Sequence, residues 1–201
     1  MRQLELLLGE ETFRDGMREY LIEFAHSNAT WPDLIGILDG LSDEDLVDWS
    51  RVWVEEPGRP TVSTELELED GRVSDLRISQ SDPAGEGRVW PQTMEITLSA
   101  GGTLSTLPVH FDGEPLLLGD WVGRDAPDFV LPNGGGFEYG HFHLDAGSRQ
   151  HLIETLPEIT DAKTRGIAWV TLWDAVLERE VEVGDWYALL LRGAVEEEDE
   201  Q

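Results

Sequence analysis

Cysteine is absent from the 201-residue sequence. That excludes disulfides, thiolate nucleophiles and cysteine-ligated metals, and it fits a reducing, cytoplasmic compartment. Basic residues are scarce: 14 Lys and Arg stand against 42 Asp and Glu, a formal charge of -28. Such a surface repels phosphate backbones and anionic bilayers, so neither a nucleic-acid partner nor a membrane partner is expected. No apolar run approaches the length of a membrane span, and the N-terminus lacks the pattern of a secretory signal.

The acid excess is larger than ordinary solubility requires. It points to adaptation to high salt, where the Debye length contracts from about 10 Å at 0.1 M to about 3 Å at 1 M and self-repulsion becomes short-ranged. The run Glu196-Glu197-Glu198-Asp199-Glu200 reads as a frayed, solvated tail.

Periodicity divides the chain into three. Arg2 to Leu8 reads as the end of a helix with Gly9 at its C-cap. Phe13, Met17, Tyr20, Leu21 and Phe24 line one face of a helix over Glu11 to Phe24. Thr30 caps a short helix, with Asp33 as its capping-box partner and Pro32 in the first turn. Ser42 opens another in the same way, with Asp45 at the matching position and Leu46, Trp49, Val52 and Trp53 as the buried stripe. After Pro57-Gly58-Arg59-Pro60 the period falls to two: Val62, Thr64, Leu66 and Leu68 share a face. Asp70-Gly71 is a hairpin signal, and the alternation breaks near Ser74-Asp75. Trp90 to Leu98 and Thr103 to Phe111 are further strands, and Asp112-Gly113 makes a second hairpin into Pro115 to Leu118. Phe129 to Leu131 and Phe137 to Leu144 complete the set. From Ala146 the helical period returns. Ser148, then Thr160 or Asp161, then Asp185 are the caps. The second of these helices carries Ile167, Val170, Trp173 or Leu172, and Val176-Leu177; the third carries Trp186, Leu189 and Leu190. The expected fold is a multi-unit α and β chain: helices over 1–58, an antiparallel β-sandwich over 59–146 and helices over 147–201.

Chemistry is hard to find. The histidines are His26, His110, His141, His143 and His151, and no pair has the H-E-x-x-H spacing of a zinc peptidase. His141 and His143 lie two apart on a strand and share a face. A third ligand from Glu138, Asp145 or His151 would make a metal site. The alternative is two polar residues flanking Phe142 on a half-exposed strand; His26 and His110 read as loop and strand-surface residues. Gly134-Gly135-Gly136 lacks the Lys-Ser/Thr of a phosphate loop and reads as a flexible hairpin. Ser148 lies near His151 but has no nucleophile elbow around it. Trp90 and Trp121 are candidates for an aromatic ligand platform, or for packing. No catalytic, metal-binding or substrate-binding residue is assigned.

Three motifs in order carry a family resemblance: Phe13-Arg14-Asp15-Gly16-Met17-Arg18-Glu19-Tyr20-Leu21; Asn28-Ala29-Thr30-Trp31-Pro32-Asp33-Leu34; and Trp49 to Trp53 followed by Pro57-Gly58-Arg59-Pro60. They resemble the last catalytic-domain helices of the aminopeptidase N family of zinc metallopeptidases. Gly87 to Gln92, Val130-Leu131-Pro132-Asn133, Tyr139 and Leu144-Asp145 are similar to that family's sandwich. Leu152 to Leu156, Ala168-Trp169, Leu172-Trp173-Asp174, Asp185-Trp186-Tyr187 and Leu189 to Gly193 are similar to the opening of its helical domain. The resemblance implies that 1–58 closes a thermolysin-like catalytic domain, that 59–146 is the sandwich and that 147–201 starts the helical domain. The family's zinc is held by H-E-x-x-H and a later glutamate, and a G-x-M-E-N loop reads the substrate amine. This sequence has neither motif, so no zinc is expected on this chain. The expectation is a non-catalytic slice of a peptide-trimming enzyme, partnered by its missing catalytic domain, with peptide as the parent's substrate. Apolar faces at Leu4, Leu7 and Leu8, and near Trp186 and Leu190, would then stay exposed and favour self-association. Two other readings remain: a free-standing sandwich module for a peptide or sugar at Trp90 or Trp121, and an independent metalloenzyme at His141 and His143.

The charge carries a direct test. The melting temperature should rise between low and molar salt; a flat or falling response would refute halophilic adaptation.

Overall fold

The computed structural model describes residues 1–196. Of the expected acidic tail, residues 197–200 lie outside this range. Four helices open the chain: α1 (Arg2–Leu8), α2 (Glu10–Glu23), α3 (Trp31–Asp39) and α4 (Leu46–Ser50). The expected capping box forms, with the Thr30 N–H donating to Asp33 Oδ2 at 2.8 Å. Asp45, not Ser42, caps α4, its Oδ1 accepting from the Asp48 N–H at 2.9 Å. The helix then widens into a π turn over Arg51–Glu55, closed by the Glu56 N–H on the Arg51 carbonyl. Leu4, Leu34, Ile35, Leu38, Leu46 and Trp49 form the core of this part. Leu4 is fully buried, so α1 is covered rather than left open as expected, with Leu7 and Leu8 half-buried beside it. Leu21 also departs from expectation, at 64% exposed. The face of α2 that meets α3 runs through buried Gly16, which brings the backbone close to Leu38.

Seven strands follow: β1 (Thr61–Glu69), β2 (Arg72–Ser81), β3 (Gln92–Ala100), β4 (Thr103–Phe111), β5 (Leu116–Leu117), β6 (Phe129–Leu131) and β7 (His141–His143). They make two sheets, β5-β2-β1-β7 and β4-β3-β6. The β1–β2 turn has φ of 51° at Asp70 and 77° at Gly71, the left-handed pair that matches strand twist. The register slips between Glu67 and Leu68, leaving Ser74 unopposed where the alternation breaks. Val62, Ile78, Ile96, Leu98, Val130 and Phe142 meet between the sheets. Two expectations need correcting. Asp112-Gly113 does not close a hairpin, because β5 pairs with β2 in the opposite sheet and the segment is a crossing. The sandwich is not wholly antiparallel either: β7 is only three residues long and runs parallel to β1, with Thr61 opposite His141.

The chain ends in α5 (Ala146–Thr155), α6 (Ala162–Leu177) and α7 (Val183–Glu196). Asp145 caps α5 through the Ser148 N–H at 3.0 Å, so Ser148 is not the cap. Its buried Oγ instead accepts from the Val130 N–H at 2.8 Å and ties α5 to β6. Asp161 caps α6. The buried face of α6 carries Ala168, Thr171, Leu172 and Ala175, while Val170, Trp173 and Leu177 of the expected stripe are exposed. Small side chains thus set the inner face, which hydropathy alone does not find. Strand β6 serves two cores: Val130 faces the sandwich, and Phe129 and Leu131 face the C-terminal helices.

The close approach at Gly16 is testable. A Cβ there would lie 2.3 Å from Cδ2 of buried Leu38. Gly16→Ala should cost about 1–3 kcal/mol by overpacking. Gly36 lies exposed in α3 with open space around it. Gly36→Ala should add about 1 kcal/mol through helix propensity. Denaturant midpoints read both.

Candidate functional site

The three cores meet along one edge of β3. Strand β6 covers this edge only from Thr97 to Ser99. Upstream on this same edge, opposite the one that β4 pairs, no strand among the described residues lies beside Thr93 and Glu95, and side chains take that place. Gln3 of α1 accepts from the Thr93 N–H at 2.9 Å and donates to the Thr93 carbonyl at 2.9 Å. The Glu95 N–H donates to Glu138 Oε1 at 2.8 Å. Glu138 also accepts from the N–H groups of Gly135 at 3.1 Å and Phe137 at 3.0 Å. Burial pushes its carboxyl above the ordinary value, while these backbone hydrogen bonds pull the other way. Gln92 pairs with both backbone groups of Tyr139, at 2.9 and 3.0 Å. Gln80 does the same with Trp90, at 2.7 and 3.1 Å. Each amide imitates one strand residue.

Gly134-Gly135-Gly136 is therefore not the flexible hairpin expected. It joins strands of different sheets, and a Cβ on buried Gly134 would lie 2.0 Å from Thr97 Oγ1. Only glycine admits Glu138 and Thr97 so close to the backbone.

The 57–60 linker is fixed from three sides. Arg88 grips Asp82 with two 2.9 Å bonds, donates to the Pro57 carbonyl and lies 5.2 Å over the Trp90 ring. Its guanidinium holds the Asp82 carboxyl well below the usual carboxylate range. The Tyr139 hydroxyl donates to the Gly58 carbonyl at 2.8 Å. Arg59 reaches Asp174 at 2.9 Å and Glu178 at 3.2 Å, both at the end of α6 or just beyond it. A cleft of about 730 Å³ opens here beside Arg59, Asp82, Arg88, His141 and Glu178. A second, of about 430 Å³, lies between the 133–140 loop and α6, with Glu138, Lys163, Ile167 and Val170 among its walls.

His141 and His143 do share a face, but neither meets Glu138, Asp145 or His151. They converge on Glu180 Oε1, at 3.5 and 2.8 Å. The Arg149 guanidinium stands 3.7 Å from Glu180 Oε2, where its charge opposes a dication. Among the described residues no group of three His, Asp or Glu is arranged to hold a metal ion. His26 and His110 are exposed. Ser148 is committed to Val130, and His151 packs against Phe129 at 6.0 Å, so the two do not form a nucleophile and base. Trp90 and Trp121 are 1% and 8% exposed, under Arg88 and Arg124 respectively, and form no platform for a ligand. What the geometry builds is a junction in which polar side chains pair with backbone groups of distant elements. Sequence reading missed its principal members, Gln3, Gln80, Gln92 and Glu138. The available signal was a polar residue at an inward position, such as Gln92 opening an apolar strand.

No protein-family model matches the sequence. Among curated proteins, aminopeptidase N of Streptomyces lividans is 30% identical over 212 residues, covering 99% of this chain and 25% of that protein. Aminopeptidase N of Lactobacillus delbrueckii subsp. lactis is 29% identical over 149 residues, 73% of this chain and 15% of that protein. Aminopeptidase M1-C of Oryza sativa subsp. japonica is 29% identical over 90 residues, 45% of this chain and 10% of that protein. The chain belongs to the aminopeptidase N family. It spans about a quarter of the Streptomyces relative's length. In this member of the aminopeptidase N family, the junction ties the first helix, the sandwich and α6 together through Gln3, Glu138 and Arg59.

Two carboxylates of the junction should titrate with opposite sign. Asp82, with its depressed value, stabilises fully above the ordinary carboxylate range, and that contribution fades as pH falls below about 4. Glu138, with its raised value, favours the fold more when protonated, and that contribution fades as pH rises through the window above 4.5. Asp82→Asn should lower the melting temperature more at pH 7 than at pH 2.5. Glu138→Gln puts an NH2 against a backbone N–H and should cost about 1–3 kcal/mol by denaturant titration.

Proposed function

We propose that this chain is a non-catalytic, scaffolding portion of a zinc-dependent aminopeptidase that removes N-terminal residues from peptides. The observation that carries the reading is the alignment of 99% of the chain with a quarter of an aminopeptidase N. Residues 1–58 would close the catalytic domain, 59–146 form the sandwich and 147–201 begin the helical domain. Zinc would supply the water-activating chemistry from ligands on the catalytic domain, outside this sequence. The role of this portion is to fix the angle between catalytic and helical parts, through the 57–60 linker and the β3 edge, and so to wall the peptide chamber. Among the described residues no helix is long and apolar enough to cross a membrane. A cytoplasmic setting fits the cysteine-free composition. The sandwich-module alternative loses support with the burial of Trp90 and Trp121.

The purified chain should not turn over leucine p-nitroanilide and should carry only substoichiometric zinc. Chelator-sensitive release of nitroaniline by the isolated chain would overturn the proposal.

A further inference from the structure

One stripe of α6 is ordered by charge. Lys163, Ile167, Val170 and Asp174 follow one another at helical spacing along a wall of the cleft of about 430 Å³. The cation stands in the first turn of the helix, the carboxylate in its last turn, and the apolar residues lie between them. Phe142 and Asn133 line the cleft from the sandwich side, so both walls belong to this chain.

Neither end group is used up. Lys163 is the only lysine in the sequence. Its compact ammonium has three N–H groups, and one meets Glu95 at 3.0 Å. At the other end Arg59 takes Oδ2 of Asp174 and also holds Glu178, so this end keeps one carboxylate in excess. Both ion pairs are open to solvent, and pairs of that kind exchange partners at little cost. Glu138 lines the cleft too, but its carboxylate is engaged by three backbone N–H groups. The Asn133 amide gives one N–H to Thr171 at 2.9 Å and keeps a second for a ligand carbonyl.

Length and polarity say what fits. Lys163 and Asp174 are about three turns apart, roughly 16 Å at 1.5 Å per residue. An extended chain covers about 3.3–3.6 Å per residue. Three or four residues therefore reach from one end to the other, with an ion-pair contact at each. The helix dipole sets the direction. Its positive N-terminal end, with Lys163, favours a carboxylate, and its negative C-terminal end, with Asp174, favours an ammonium. A single amino acid is too short to meet both charges.

We propose that this cleft binds a short linear peptide of three or four residues, apolar in the middle, with its C-terminal carboxylate on Lys163 and its N-terminal ammonium on Asp174. The site rests on the peptidase reading for the source of the peptide, a trimmed product, and on the geometry alone for its binding.

The test is calorimetric titration of the intact chain with Ala-Leu-Leu-Ala and three relatives: the N-acetylated form, the C-amidated form and Ala-Ser-Ser-Ala. The free leucine peptide should bind one to one and at least fivefold tighter than each relative. Lys163→Gln should weaken the free peptide at least fivefold and leave the amidated one unchanged. Asp174→Asn should weaken the free peptide and leave the acetylated one unchanged. Val170→Ser, at a position 65% exposed, should keep the circular dichroism melt and weaken every leucine peptide. No binding, equal binding of all four peptides, or an equal loss for free and amidated peptides in Lys163→Gln would overturn the proposal. Release of free alanine during the titration would contradict the non-catalytic reading without touching the variant pattern that decides this one.

Discussion

A buried strand edge must have its N–H and C=O groups paired, and β3 has an edge that no strand completes. The partners at Thr93 and Glu95 come from outside the sheet: Gln3 from the first helix and Glu138 from the loop before β7. Lys163 of α6 adds an exposed ion pair to the Glu95 carboxylate at 3.0 Å. Elements at both ends of the chain are thereby referred to one strand. The apolar cores are three, yet the polar pairing that joins them runs through a few residues of β3.

The linker repeats this logic with charge. Arg88 connects the Asp82 loop to the Pro57 carbonyl, and Arg59 connects the linker to the far end of α6. The Arg88–Asp82 pair is sheltered and bidentate, the geometry in which an ion pair gives orientation as well as energy. The Arg59 pairs are more open, and ion pairs of that kind contribute little to stability. The residues that fix the linker against the sandwich and α6 are thus the ones gathered at this junction.

Much of the architecture was legible in the sequence because hydrophobic period and turn chemistry are local. Asp70-Gly71, the break at Ser74 and the Thr30–Asp33 capping box follow from neighbouring residues alone. Errors arose where a distant partner decided the outcome. Ser148 has the chemistry of a cap but is drawn to Val130. Val170 and Trp173 look like core, yet small residues on the other side of α6 let it approach more closely. The two histidines do converge, but on Glu180, which is 37 positions from His143 in sequence and which no spacing rule reaches. The junction itself was invisible for the same reason: a glutamine that replaces a strand neighbour has no local signature.

Amide hydrogen exchange at Thr93 and Glu95 tests the central claim most directly. If side chains complete the β3 edge, these two amides should be as protected as that of Thr97, which faces the strand partner Leu131. They should also lose that protection selectively in Gln3→Ala and Glu138→Ala respectively. Rapid exchange at Thr93 and Glu95 in the unaltered chain, with Thr97 still protected, would contradict the account.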